Sequence, residues 1–166
     1  MNKKVLFTSQ AALIAALYVV LTIFINAFGL GLANGAIQIR ISEALTVLPY
    51  FTPAAIPGIT IGCLLSNLLI GCPPLDIIFG TCATLLGALG SYALRRYKWL
   101  VPLPPIIANT IIVPYVLRYA YDIPDAIPYL MATVGAGEVI SCYILGMFLL
   151  CSLSTFGKQL FKVKNN

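Results

Sequence analysis

The chain has 166 residues, 60% of them hydrophobic and 9% charged, with a formal net charge of +5 and a mean hydropathy of +0.98. A water-soluble domain carries roughly 25% charged residues because most of its surface meets water, so this composition describes an integral membrane protein. Helices of about 20 apolar residues use up nearly the whole length, which excludes a soluble ATP-binding or catalytic domain beside the membrane part.

Apolar runs and their breakers predict an all-α membrane protein, one integral domain over residues 1–166 with six transmembrane helices at about 8–28, 42–50, 54–70, 75–94, 106–119 and 128–156. The first span follows Lys3 and Lys4 like a secretion signal, yet it is too long and lacks a clear cleavage site, so it reads as a mature helix. It carries Ala11, Ala12, Ala15 and Ala16, two overlapping pairs four residues apart on adjoining faces. Such a strip lets another helix come close, from within the chain or from a partner. A loop over 29–41 follows, containing Gly29, Gly31 and Gly35 and ending in Gln38-Ile39-Arg40-Ile41; its glycines give it the freedom to act as a lid.

Pro49, Pro53 and Pro57 remove backbone donors and disfavour helix before them, so 42–70 reads as a hairpin of two spans. Charge supports the hairpin. It puts both termini in the cytoplasm, with Lys3, Lys4, Arg95, Arg96, Lys98, Lys158, Lys162 and Lys164 inside and Arg40 and Arg118 outside. A single rod would move the 95–98 cluster and the C-terminal lysines outside, against the positive-inside bias.

The acids Glu43, Asp76, Asp122, Asp125 and Glu138 then all fall outside or in the outer part of a span. Carboxylates have little topological weight, so their one-sidedness points to a polar site opening outward. Glu138 lies within the last apolar run among Gly135, Ala136 and Gly137, where it either pairs with Arg40 or Arg118 or serves a ligand. Arg40 and Glu43, three apart, pair with each other or line the mouth of the site. Asp76 follows Pro73-Pro74 and is either a helix cap or a site residue; Asn67 and Asn109 are interhelical glue or polar groups of the same site. Tyr119, Tyr121 and Tyr129 read as an interfacial belt, whereas Tyr115, inside its span, is placed to stack on a planar ligand.

Several chemistries are missing. Gly157-Lys158 has Ser152 where a phosphate-binding loop needs its first glycine. There is no histidine, and Cys63, Cys72, Cys82, Cys142 and Cys151 lack zinc spacing, so no metal, no cofactor and no catalytic triad is expected. Four of these cysteines read as small hydrophobes within apolar runs. The basic residues sit between apolar spans, so nucleic acid is not the expected partner.

The run Ile39-Arg40-Ile41-Ser42-Glu43-Ala44-Leu45-Thr46-Val47-Leu48-Pro49-Tyr50-Phe51-Thr52-Pro53-Ala54-Ala55-Ile56-Pro57-Gly58 resembles the signature of the QueT family of queuosine-precursor transporters. Leu75-Asp76-Ile77-Ile78-Phe79-Gly80-Thr81 and Gly137-Glu138-Val139-Ile140 extend the resemblance over about 8–149. It implies a six-helix substrate-binding S component of an energy-coupling factor (ECF) transporter in a bacterial plasma membrane. Such a component works with a transmembrane T component and two ABC ATPases. Ala11, Ala12, Ala15 and Ala16 match the strip by which S components meet the T component. The ligand implied is a 7-deazaguanine: the 7-aminomethyl form, the 7-cyano form or queuine. A guanine-like edge presents two N–H donors to a carboxylate, for which Glu138 or Glu43 is suited, and its carbonyl wants a donor from Asn67, Asn109, Gln38 or Arg40. A cationic aminomethyl group would favour a second acid, Asp76. Outside the resemblance, a proton-coupled secondary transporter using Glu138 and a purely structural membrane subunit remain alternatives.

Overall fold

The first helix, α1 (Lys3–Ala27), is opened by Asn2, whose side chain accepts a hydrogen bond from the Lys4 backbone N–H at 3.2 Å. Its apolar residues point both ways. Leu13, Val20 and Phe24 are exposed, while Ile14, Ala15 and Tyr18 are buried. The computed structural model describes residues 2–28 and 40–160, with side chains to Ser154. Residues 29–39 of the expected lid, Gln38 among them, lie outside the described residues.

The expected span over 42–50 is a 3₁₀ helix, Ile41–Tyr50, with Pro49 inside it and every residue from Ser42 to Pro49 buried. At about 2 Å per residue such a helix falls well short of a hydrocarbon core of about 30 Å. Irregular backbone is tolerated at membrane depth only where protein surrounds it, and this segment is wrapped on every side. The hairpin bend follows at 51–54, then α2 (Ala55–Ile70) returns.

Helix α2 packs on α1 through two glycines. A Cβ at Gly58 would lie 2.8 Å from the Ala11 carbonyl, and one at Gly62 would lie 2.7 Å from Tyr18 Cβ. Both sequences ascend across the contact, so α1 and α2 run parallel. Gly71, at φ +78°, closes α2 in the left-handed conformation, and Pro73 and Pro74 start α3 (Pro74–Ala93) in the opposite direction. Helix α4 (Leu103–Ala120) descends along α3, with Gly87 and Gly90 against Pro105 and Pro104.

The final expected span is a rod in three pieces: α5 (Ile127–Glu138), a π-helical segment (Val139–Leu145) and α6 (Gly146–Leu160). Among the described residues there is no strand. Four stretches are long and apolar enough to cross a membrane, Lys3–Ala27, Pro74–Ala93, Lys98–Ala120 and Ile127–Ser154; α2 and the 3₁₀ helix are shorter.

The directions put Lys3, Lys4, Arg95, Arg96 and Lys98 at one end, and Asp76, Asp122 and Asp125 at the other. Large apolar side chains such as Leu69, Ile78 and Phe148 face outward, while Glu43, Thr46, Asn67, Asp76, Asn109, Glu138 and Ser141 are buried. Burying polar groups under an apolar coat is the arrangement a hydrocarbon solvent demands.

Candidate functional site

The 3₁₀ helix delivers Glu43 to the centre of the bundle. Its Oε1 accepts a hydrogen bond from Tyr18 Oη of α1 at 2.6 Å, and its Oε2 is buried with no hydrogen-bond partner among the described residues. Thr46 Oγ1, one turn on, donates to the Glu43 backbone carbonyl at 2.6 Å, which fixes the turn that aims the carboxylate.

Opposite stands Glu138, the last residue of α5. The π segment begins immediately after it, and a π insertion re-aims the side chains around it. Cys142 Sγ donates to Glu138 Oε2 at 3.1 Å and also lies 3.5 Å from the Glu43 carbonyl oxygen, tying the segment to the 3₁₀ helix. The carboxylate oxygens of Glu43 and Glu138 and the Cys142 sulfur all lie within 4.8 Å of one another. Asn109 of α4 joins this group. It is 1% exposed, it stands beside Glu138, and among the described residues neither its Nδ2 nor its Oδ1 has a hydrogen-bond partner.

A second polar group lies toward the acidic end. Asp76 Oδ2 accepts from Tyr121 Oη at 2.7 Å. Burial and that carboxylate together raise the Tyr121 phenol above its ordinary pKa, so it remains a donor at any physiological pH. Asn67 Nδ2 and Thr84 Oγ1 converge on Cys63 Sγ, at 3.7 and 3.4 Å. Gly80 makes room between them, because a Cβ there would lie 2.8 Å from Asp76 Oδ1 and 3.4 Å from Asn67 Nδ2. Asp76 makes no capping hydrogen bond at the start of α3, so its carboxylate serves this group rather than the helix terminus.

Arg40 links the two groups. Its backbone N–H donates to Ser141 Oγ at 3.1 Å, and its charge interacts with Glu43, Asp76 and Glu138. It closes no hydrogen bond with Glu43, whose two oxygens are the one held by Tyr18 and the one left without a partner. The expected local Arg40–Glu43 pairing is therefore not what holds Glu43.

Glu43, Glu138, Asp76, Asn67, Asn109 and Arg40 thus come together. Tyr115 does not join them. It is 47% exposed on the outer surface of α4, beside an apolar groove of about 490 Å³ lined by Leu75, Phe79, Ile111, Val116 and Tyr119. Its helical position turns it away from the buried acids. Arg118 is exposed and donates through Nη1 to the Ile123 carbonyl at 3.0 Å, holding the turn after α4 rather than pairing with Glu138. Of the alanine strip, Ala15 is buried and Ala11 lies against Gly58, so both serve the α1–α2 contact; Ala12 and Ala16 are exposed.

Sequence reasoning missed Tyr18, Thr46, Ser141 and Cys142, and took Tyr121 for a belt residue. Cys142 follows Glu138 by four, and Asn67 follows Cys63 by four, spacings that put each pair on one helical face. Tyr18 carries the one polar side chain between Gln10 and Thr22 of α1, which was the available signal.

The chain is 39% identical over 88 residues to the Queuosine precursor transporter QueT of Lactococcus lactis subsp. cremoris (strain MG1363), a match covering 52% of this chain and 50% of that protein. The match thus spans about half the length of that relative. No solved structure matches the chain. The family model described as QueT transporter matches residues 8–155, which takes in every side chain of the buried polar site, and the chain belongs to that transporter family.

Proposed function

We propose that this chain is the substrate-binding S component of an ATP-driven ECF importer, residing as a multi-pass protein in the cell membrane and capturing a queuosine precursor of the 7-deazaguanine class. The observation that carries this reading is the set of buried groups without partners among the described residues: Glu43 Oε2 and both amide atoms of Asn109, beside Glu138. A buried polar atom left unpaired costs about 1–3 kcal/mol, so such a set is built for a ligand that supplies the missing donors and acceptors. Buried carboxylates and amides at Glu43, Glu138, Asp76, Asn67 and Asn109 together offer the acceptors and donors that a guanine-like edge, its carbonyl and a polar 7-substituent require.

The basic end faces the cytoplasm in this reading, following the positive-inside bias, and the acidic end with Asp76 and Tyr121 faces outside. A T component and two ABC ATPases supply the energy, since the chain has no phosphate-binding loop of its own. The T component docks on the exposed Ala12 and Ala16 face of α1. Mass spectrometry of the small molecule that co-purifies with the protein tests the substrate class, followed by competition with the aminomethyl and cyano forms and queuine. A released 7-deazaguanine is expected; failure of all three to bind or to raise the melting temperature overturns the reading.

The facing acids Glu43 and Glu138 favour one rival, a stand-alone proton-coupled transporter. Uptake by this protein alone in proteoliposomes, abolished by an uncoupler and indifferent to ATP, would decide for that rival.

A further inference from the structure

The buried site holds more acids than cations. Glu43, Glu138 and Asp76 are 0%, 3% and 2% exposed, and among the described residues Arg40 is the cation that faces them. Residues 29–39 contain no charged side chain, so the adjoining segment brings no further charge. Lys3, Lys4, Arg95, Arg96 and Lys98 lie at the opposite end, and Arg118 is occupied at the surface with the Ile123 carbonyl. An excess of carboxylates over cations in a low-dielectric interior is costly, and either a proton held between the acids or a positive charge brought by a ligand relieves it.

The imbalance is concentrated at one point. Glu43 and Glu138 approach within 4.8 Å, and among the described residues no cationic side chain is hydrogen-bonded to either. Their neighbours are Tyr18 and Cys142, neutral donors that take one oxygen of each acid. What remains is Glu43 Oε2 and the second oxygen of Glu138, two carboxylate acceptors, with the Asn109 amide beside Glu138; among the described residues Glu43 Oε2 and both Asn109 amide atoms have no hydrogen-bond partner. A primary ammonium has three donors and one positive charge. The Asp76 end is different, for there a single carboxylate is held by Tyr121 with Asn67 beside it, the pattern suited to a neutral N–H edge and a carbonyl.

Resting on the reading of this pocket as a 7-deazaguanine site, we infer that the Glu43–Glu138 pair with Asn109 binds a protonated amine on the ligand, so that the protein selects cationic 7-deazaguanines over neutral ones, while Asp76 and Asn67 take the ring edge. The acid pair is thereby assigned to the substituent and the lone acid to the heterocycle.

The test uses the full chain in nanodiscs and three probes measured at pH 7: 7-aminomethyl-7-deazaguanine, its neutral near-isostere 7-hydroxymethyl-7-deazaguanine, and 7-cyano-7-deazaguanine. The aminomethyl compound is expected to bind about ten- to hundredfold more tightly than the hydroxymethyl one, the range for a hydrogen-bonded charge. Glu138→Gln is expected to collapse that ratio toward one. Asp76→Asn is expected to weaken all three probes and keep the ratio. Glu43→Gln repeats the Glu138 test, with melting temperature as the check that each variant folds. Equal or tighter binding of the hydroxymethyl compound overturns the assignment and leaves the deazaguanine reading intact. So does a ratio that survives whichever glutamate is replaced. Binding of none of the three probes overturns that reading, and the assignment with it.

Discussion

A carboxylate in a membrane-embedded core is costly without hydrogen-bond donors, and among the described residues Glu43 has one, the Tyr18 hydroxyl. Tyr18→Phe removes it, leaving the carboxylate with no donor among the described residues at a position 0% exposed. The expected cost is about 1–3 kcal/mol, visible as a lower melting temperature in detergent, whereas Tyr119→Phe at the exposed surface should be silent. A Tyr18→Phe protein as stable as the parent would mean that Glu43 finds other donors. Gly80 gives a second prediction of the same kind. Its Cβ would meet Asp76 Oδ1 at 2.8 Å, so Gly80→Ala must displace the carboxylate that Tyr121 holds. Ligand affinity should fall more than stability does, and binding and melting curves on the same preparation would separate the two.

The breaks in the helices aim the site, and they differ in how far the sequence reveals them. The hairpin at 51–54 was readable because Pro49, Pro53 and Pro57 write it into the backbone. That its first arm is 3₁₀ was not readable, since the tight winding answers to burial on all sides and not to any residue type. The π segment after Glu138 was hidden for a similar reason. Val139–Leu145 is apolar apart from Ser141, Cys142 and Tyr143, so a helix with one residue too many looks like a plain apolar helix. The acids were legible as buried charge, but which hydroxyls and thiols hold them depends on phase changes at these breaks. If the π segment positions Glu138, then deleting Ile140 should restore regular winding and turn Glu138 by roughly 100° relative to α6. Ligand binding should be lost while the protein still assembles as a helical bundle by circular dichroism and size exclusion. Retained binding would show that α5 alone sets the carboxylate.

The molecule as a whole separates its surfaces by end and by face. Glycines at 58 and 62 draw α2 onto one side of α1, which leaves Ala12 and Ala16 as small exposed residues on another side among Leu13, Leu17 and Val20. If that face docks a T component, as proposed, Ala12→Trp and Ala16→Trp should abolish ATP-dependent uptake by the assembled importer and leave ligand binding by the isolated chain unchanged. Loss of binding as well would mark a folding defect and remove the case for a docking face. Orientation decides which end meets which partner, and helix directions turn it into one experiment. Lys4, Arg96 and Lys98 share an end, and Asp125 lies at the other. Five native thiols, of which Cys82 and Cys151 are exposed on the apolar coat, must first be replaced by serine or alanine. A membrane-impermeant maleimide applied to intact cells should then label a cysteine at position 125 and spare those at 4, 96 and 98; in inverted vesicles the pattern should reverse. Labelling of 96 or 98 from outside would place the basic end in contact with the exterior. Asp76 and Tyr121 would then open toward the cytoplasm, and an importer that collects its substrate from outside would have its entrance on the wrong side.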